Sequence, residues 1–142
     1  MIRMIISSVL GMLFILAPVQ SFASTYIGDF CWVMSHPDGV NRYYKLGLSN
    51  VGGGHFSVHG LWLHGDGIEK SPIYGSADRI NGVLEFSLQR TDSDPTFTHF
   101  RASHFDLGPN LNGTVRWVRI NRDASVATNE APVTYISCTA LP

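Results

Sequence analysis

The sequence predicts an all-β protein, an eight-stranded up-and-down antiparallel barrel in one domain. Three observations predict it. Turns rich in glycine, asparagine and proline recur at short intervals after residue 23. Between them apolar and polar residues alternate, the period of a half-buried strand. The two cysteines, Cys31 and Cys138, stand near the ends of that stretch. In a meander barrel the first and last strands lie side by side there. Short strands at even spacing indicate a sandwich or a barrel. Hairpin-length links favour a meander over a Greek key, which needs a long return connection.

The first 23 residues read as an export signal. Arg3 supplies the positive start, and Met4 to Val19 is almost wholly apolar. Ser21-Phe22-Ala23 puts small residues at the two positions a signal peptidase reads. Cleavage is expected after Ala23, which places the protein in the periplasm or outside the cell. The alternative is a membrane anchor, but the apolar run is short for a span. No cysteine follows it closely, so a lipid anchor is not expected. Residues 24–142 are then one domain, and 142 minus 23 leaves 119 residues, enough for one modest core. Ten Lys and Arg less Arg3 leave nine, against eleven Asp and Glu. That balance gives no footprint for nucleic acid or an anionic membrane.

Export governs the cysteines, because that compartment is oxidising and two cysteines in a secreted chain usually pair. A Cys31–Cys138 bridge would staple the closing seam. It would close a loop of roughly 100 residues, for which chain entropy gives at most about 4–5 kcal/mol. Two buried free thiols or a metal pair are the alternatives. Neither cysteine has a Cys or His neighbour at ligand spacing, which argues against zinc.

Eight segments follow in order: Tyr26–His36, Arg42–Val51, His55–His64, Ile73–Ile80, Val83–Arg90, Phe97–Leu107, Thr114–Asn121 and Val133–Ala140. Pro37-Asp38-Gly39, Gly52 to Gly54 and Gly65 to Gly67 separate the first four. Asn81-Gly82, Thr91 to Pro95, Gly108 to Gly113 and Asp123 to Pro132 separate the rest. Asn-Gly between strand-like runs is the strongest short hairpin signal, and it occurs at 81–82 and at 112–113. Phe30, Trp32 and Met34 share a face, as do Tyr44, Leu46 and Leu48. Phe56, Val58 and Trp62 share another, with Gly60 between them where the backbone bends or leaves room. Leu84, Phe86 and Leu88 alternate with Glu85, Ser87 and Gln89. If Phe30 and Trp32 point inward, Cys31 points outward. Cys138 must then point outward too, with Tyr135 inside beside Val133. Ala124 to Glu130 is read as one short helical turn.

The pattern resembles the lipocalin-like, or calycin, barrels. Gly28-Asp29-Phe30-Cys31-Trp32 on the first strand is similar to the Gly-x-Trp that opens lipocalins, with Phe30 at the tryptophan position and Trp32 two residues later. The resemblance implies a closed barrel with an apolar pocket and identifies no ligand. A second resemblance is local. Phe56-Ser57-Val58-His59-Gly60-Leu61-Trp62 looks like the first active-site motif of a secreted acid ribonuclease family. It implies an acid–base role for His59. Leu63 replaces the motif's proline. The family's second motif needs Glu, Lys and Gly around two histidines. His99 and His104 have the separation, but Phe100, Ser103 and Phe105 hold those places. Acid–base cleavage needs donor, acceptor and charge stabilisation together.

Other chemistry finds little support. His55 and His59 share a strand face about 13 Å apart, too far for one ion. Asp92 and Asp94 sit in a turn beside Pro95, where Asp serves the backbone. Asn112-Gly113-Thr114 fits a glycosylation sequon, but the turn explains it. No glycine-rich loop precedes a helix, so no phosphate cradle or cofactor is expected. A membrane barrel needs strands of about 9–11 residues with an outward apolar band. Several segments are shorter and their outward faces look polar. What remains is a non-catalytic binding protein. Phe30, Trp32, Phe56, Trp62, Phe86, Trp117 and Tyr135 are the candidate lining for a small apolar ligand. A filled barrel that binds a protein partner, or a His59-centred hydrolase, are the alternatives.

Overall fold

The computed structural model describes residues 23–90, 100–121 and 123–142. Residues 1–22, read from the sequence as an export signal, and the Thr91–His99 stretch, with Asp92 and Asp94, lie outside the described residues. Eight strands form: β1 (Thr25–Met34), β2 (Arg42–Gly52), β3 (His55–His64), β4 (Lys70–Ile80), β5 (Val83–Arg90), β6 (Phe100–Leu107), β7 (Gly113–Ile120) and β8 (Val126–Ile136). Each pairs antiparallel with the next and β8 pairs with β1, closing the barrel. A short 3-10 turn follows at Cys138–Ala140.

The alternation read from the sequence becomes an inside and an outside. Trp32, Leu46, Phe86 and Phe105 are fully buried on the inner face. Their rings pack edge to face: Trp32 lies 5.5 Å from Phe86 and 5.9 Å from Phe105, and Tyr44 lies 4.8 Å from Phe105. Aromatic pairs favour such tilted contacts. The barrel's centre is therefore filled by side chains. Glycine on inward positions of β3 and β4 lets neighbouring backbones approach. A Cβ on Gly60 would sit 1.9 Å from the Lys45 carbonyl oxygen, and one on Gly75 2.0 Å from that of Ser87. The predicted bend at Gly60 is thus a close approach of backbones.

The seam is short. β1 and β8 pair only from Cys31↔Ile136 to Met34↔Val133. The Cys31–Cys138 disulfide stands at its end, with 5.2 Å between Cα atoms. Cys31 lies on the outward side, yet it is fully buried, because the chain turns after Ile136 and packs the 3-10 turn on β1. Ser137 caps that turn by accepting the Thr139 N–H.

Two expectations need correction. The last strand begins at Val126, inside the predicted loop and across the predicted helical turn, and it ends at Ile136. Ahead of it Ala124 takes φ 61, and the Ser125 N–H donates to Asp123 Oδ1. Val126 to Ala131 reads as polar and irregular, but it is the partner that β7 needs from Val115 to Ile120. Tertiary pairing overrides weak local preference. Pro132 fits because it stands beyond the last β1–β8 pair, where the ladder needs no donor. The second correction concerns the two Asn-Gly pairs. Asn81 and Gly82 take φ 51 and 82, the left-handed pair of a tight hairpin turn. At 108–113 the left-handed residue is Leu111, with φ 64, and Gly113 already belongs to β7.

Candidate functional site

Strand direction gives the barrel two unlike ends. At the lower end lie the starts of β1, β3, β5 and β7 and the ends of β2, β4, β6 and β8. There the Gly108–Asn112 loop folds against the interior. The Trp32 indole Nε1–H donates to the Leu111 carbonyl at 2.8 Å. Asn112 Oδ1 accepts the Tyr135 N–H at 2.8 Å, so the sequon asparagine ties the loop to β8. What space remains is an apolar pocket of about 260 Å3, lined mainly by Phe30, Leu48, Phe56, Leu84 and Leu111.

The upper end is different. Here the inward alternation runs on into arginine: Arg42 before Tyr44, Arg90 after Leu88, Arg101 before Ser103 and Arg119 after Trp117. These four, with Trp62 and Trp117, line a recess of about 320 Å3. The Arg90 guanidinium lies over the Trp62 ring, 3.6 Å from its centroid, and Arg90 is 3% exposed. A desolvated cation–π contact of this kind contributes up to about 2 kcal/mol. Arg42 donates through Nη2 to Asp38 Oδ2 at 2.7 Å and through Nη1 to the Val40 carbonyl at 2.7 Å. His36 Nδ1 lies 2.8 Å from Asp38 Oδ1, and its ring stacks on Trp117 at 5.4 Å. The Asp38 carboxyl is held down to about 2, first by the Val40 N–H it accepts, then by His36 and Arg42. On the floor, burial raises the Tyr44 phenol, and the nearby arginines oppose that shift in part.

Arg119 differs from Arg42 and Arg90. It makes no ion pair or hydrogen bond with the described residues, and its Nε is buried. Ser71 Oγ, buried on the inner face of β4 across from Trp62, also has no partner among them.

The seven predicted lining residues all take inward positions, but they do not line one cavity. Trp32 and Phe86 fill the centre. Phe30 and Phe56 line the lower pocket, and Trp62 and Trp117 the upper recess. Tyr135 sits at the seam against Trp32 and Phe30 and is 40% exposed. Arg42, Arg90 and Arg119 are not legible in a pattern of apolar residues, because each stands one step beyond the end of an apolar row. Continuing the alternation one step past Tyr44, Leu88 and Trp117 would have placed Arg42, Arg90 and Arg119 inside.

His59 faces outward. It lies beside Tyr26, Asp29 and the bare face of Gly47, whose Cβ would approach its Nε2 to 3.0 Å. Asp29 is held low by the Tyr26 hydroxyl, which donates to it at 2.6 Å, and by Lys45. His104 also lies on an outward position, on β6 opposite Ser87 and Arg116. Three strand spacings, about 14 Å, separate it from β3, and outward faces of a barrel diverge. The two histidines therefore do not converge on one reacting atom. A third concavity, of about 770 Å3, lies largely on the outside of β5 to β8, with His104, Arg116, Val118 and Glu130 among its walls.

The geometry defines a class: a disulfide-stapled, closed eight-stranded antiparallel barrel, consistent with a calycin-type fold, with a filled centre and a recess at each end. Compared with protein families, with curated proteins and with solved structures, the chain gives no match.

Proposed function

We propose that this is an exported, non-catalytic binding protein that holds a small molecule in the upper recess. The observation that carries this reading is the recess itself: tryptophan walls and inward-facing arginines at the end of a barrel whose middle is packed. Small-molecule sites combine aromatic walls with a few placed polar groups, and the mouths of barrels are a common place for them. The apolar ligand expected within the barrel finds its middle occupied by Trp32, Phe86 and Phe105, which leaves only the two ends of the interior open to one. Export is supported by the leader pattern and by the disulfide, and β1 begins just past the expected cleavage point. N-terminal sequencing of the mature protein should begin at Ser24.

The test is native mass spectrometry of protein purified from its own organism. The expected result is added mass that leaves on denaturation and is missing from Trp117→Leu. Added mass retained by Trp117→Leu and lost by Phe56→Ala would move the ligand to the lower pocket and sink the proposal.

One observation favours a second reading, a module that binds a protein partner. A filled centre suits a rigid scaffold acting through its surface, and the outer groove over β5 to β8, of about 770 Å3, offers one. Arg116→Glu abolishing capture of a partner, with ligand mass unaffected, would establish it.

A further inference from the structure

We infer that the upper recess is an anion site, and that its ligand is a planar organic molecule bearing a carboxylate, held against Trp117 with the charge on Arg119. This rests on the reading of that recess as the binding site and adds the ligand's chemical class.

Charge is the first argument. Four arginines line the recess, against the carboxylates of Asp38 and Glu69 among the described residues. A cation turned into a barrel loses hydration, a cost recovered only through partners. Asp38 answers Arg42, and the Trp62 ring answers Arg90. Nothing among the described residues answers Arg119. A packing role alone would be served better by Leu or Met at that position, which carry no charge to desolvate. Arginine there is explained if a ligand supplies the anion.

Shape is the second argument. A guanidinium presents its donors as a rigid planar fork, which matches a carboxylate with two parallel hydrogen bonds. Trp117 stands two residues before Arg119 on the same inward face of β7, so a ring against the indole brings its substituent toward the guanidinium. Trp117 is itself backed by His36, which holds the ring's orientation. A recess of about 320 Å3 admits one or two fused rings with a short acidic arm.

Indole-3-acetate and its neutral isostere indole-3-acetamide separate charge from shape. Both are titrated calorimetrically into the mature, disulfide-intact protein and into Arg119→Gln. The expected result is that the acetate binds at least about tenfold more tightly than the amide. Arg119→Gln should remove that preference while its thermal midpoint stays at the parent value. Equal binding of acid and amide overturns the anion assignment and leaves the recess as a site. Binding of neither overturns the anion assignment and the upper-recess reading together. An acid preference that survives Arg119→Gln but disappears in Arg79→Gln, at the rim of the lower pocket, also overturns it.

Discussion

The two ends of this barrel are built from the same eight strands, yet they solve opposite problems. The lower end is closed by its own chain. The Leu111 carbonyl satisfies the one polar atom of Trp32, Asn112 secures the loop to β8, and aromatic and aliphatic side chains fill most of the rest. The upper end carries the polar inventory: four arginines, two histidines, Asp38 and Glu69 around two tryptophans. Buried polar groups in a stable core are paired. The lower end obeys that rule. The upper end obeys it at Arg42 and departs from it, among the described residues, at Arg119. The lower end therefore reads as structure, and the upper end as the place where the proposed site lies.

The sharpest way to break that contrast is at the seam. Replacing both cysteines with serine should cost as much as about 4 kcal/mol, since the bridge closes a loop of 107 residues. Hydrogen exchange should show Val133–Ile136 opening first, because only four residue pairs close the seam beside the bridge. Uniform opening of the barrel would deny the disulfide its local role. Next comes Trp32→Phe, which removes the donor to Leu111 and leaves a void at the centre. A loss of about 2–3 kcal/mol in denaturant midpoints is expected. Binding at the upper recess should persist, and its loss would mean that the ends are coupled.

Smaller effects sharpen the picture. Tyr135→Ala should destabilise by about 1–2 kcal/mol, because it removes ring contacts to Trp32 and Phe30 at a half-exposed position. Thr134→Ala, on the outer face, should stay within about 0.5 kcal/mol. Equal effects would reverse the inside–outside assignment of β8. Acid should loosen the upper end. Asp38 titrates near 2 in the folded chain against an ordinary 3.8, so its contribution is complete above pH 3.8 and is lost as pH falls toward 2. In Asp38→Asn that part of the acid sensitivity should vanish from thermal melts. The smallest expected effect is Arg119→Gln, whose stability should match the parent within about 0.5 kcal/mol. A large loss would show that Arg119 has a structural partner after all.

Most of the fold was legible in the sequence, and the candidate site only in part. Leu84, Phe86 and Leu88 announced β5 because strict alternation has one geometric meaning, and the Asn81-Gly82 turn before it has few alternatives. Val126 to Ala131 did not announce β8, because its residues carry no apolar period and the strand exists to complete the ladder of β7. The aromatics were found, but Arg42, Arg90 and Arg119 were not. A charged residue at a strand end reads as solvent-facing until one knows that the inward row continues through it.

By itself, the sequence determined which aromatic and aliphatic side chains of β1, β2, β3 and β5 face inward, where most hairpins turn, and that the two cysteines could meet. Alternation and turn chemistry are local, and local stereochemistry decides them. Only the tertiary structure decided that the seam is four pairs long, that Leu111 rather than Asn112 makes the sharp turn under Trp32, and that arginines distant in sequence gather around Trp62 and Trp117. Those outcomes depend on register and on barrel closure, which bring together residues that no local pattern connects.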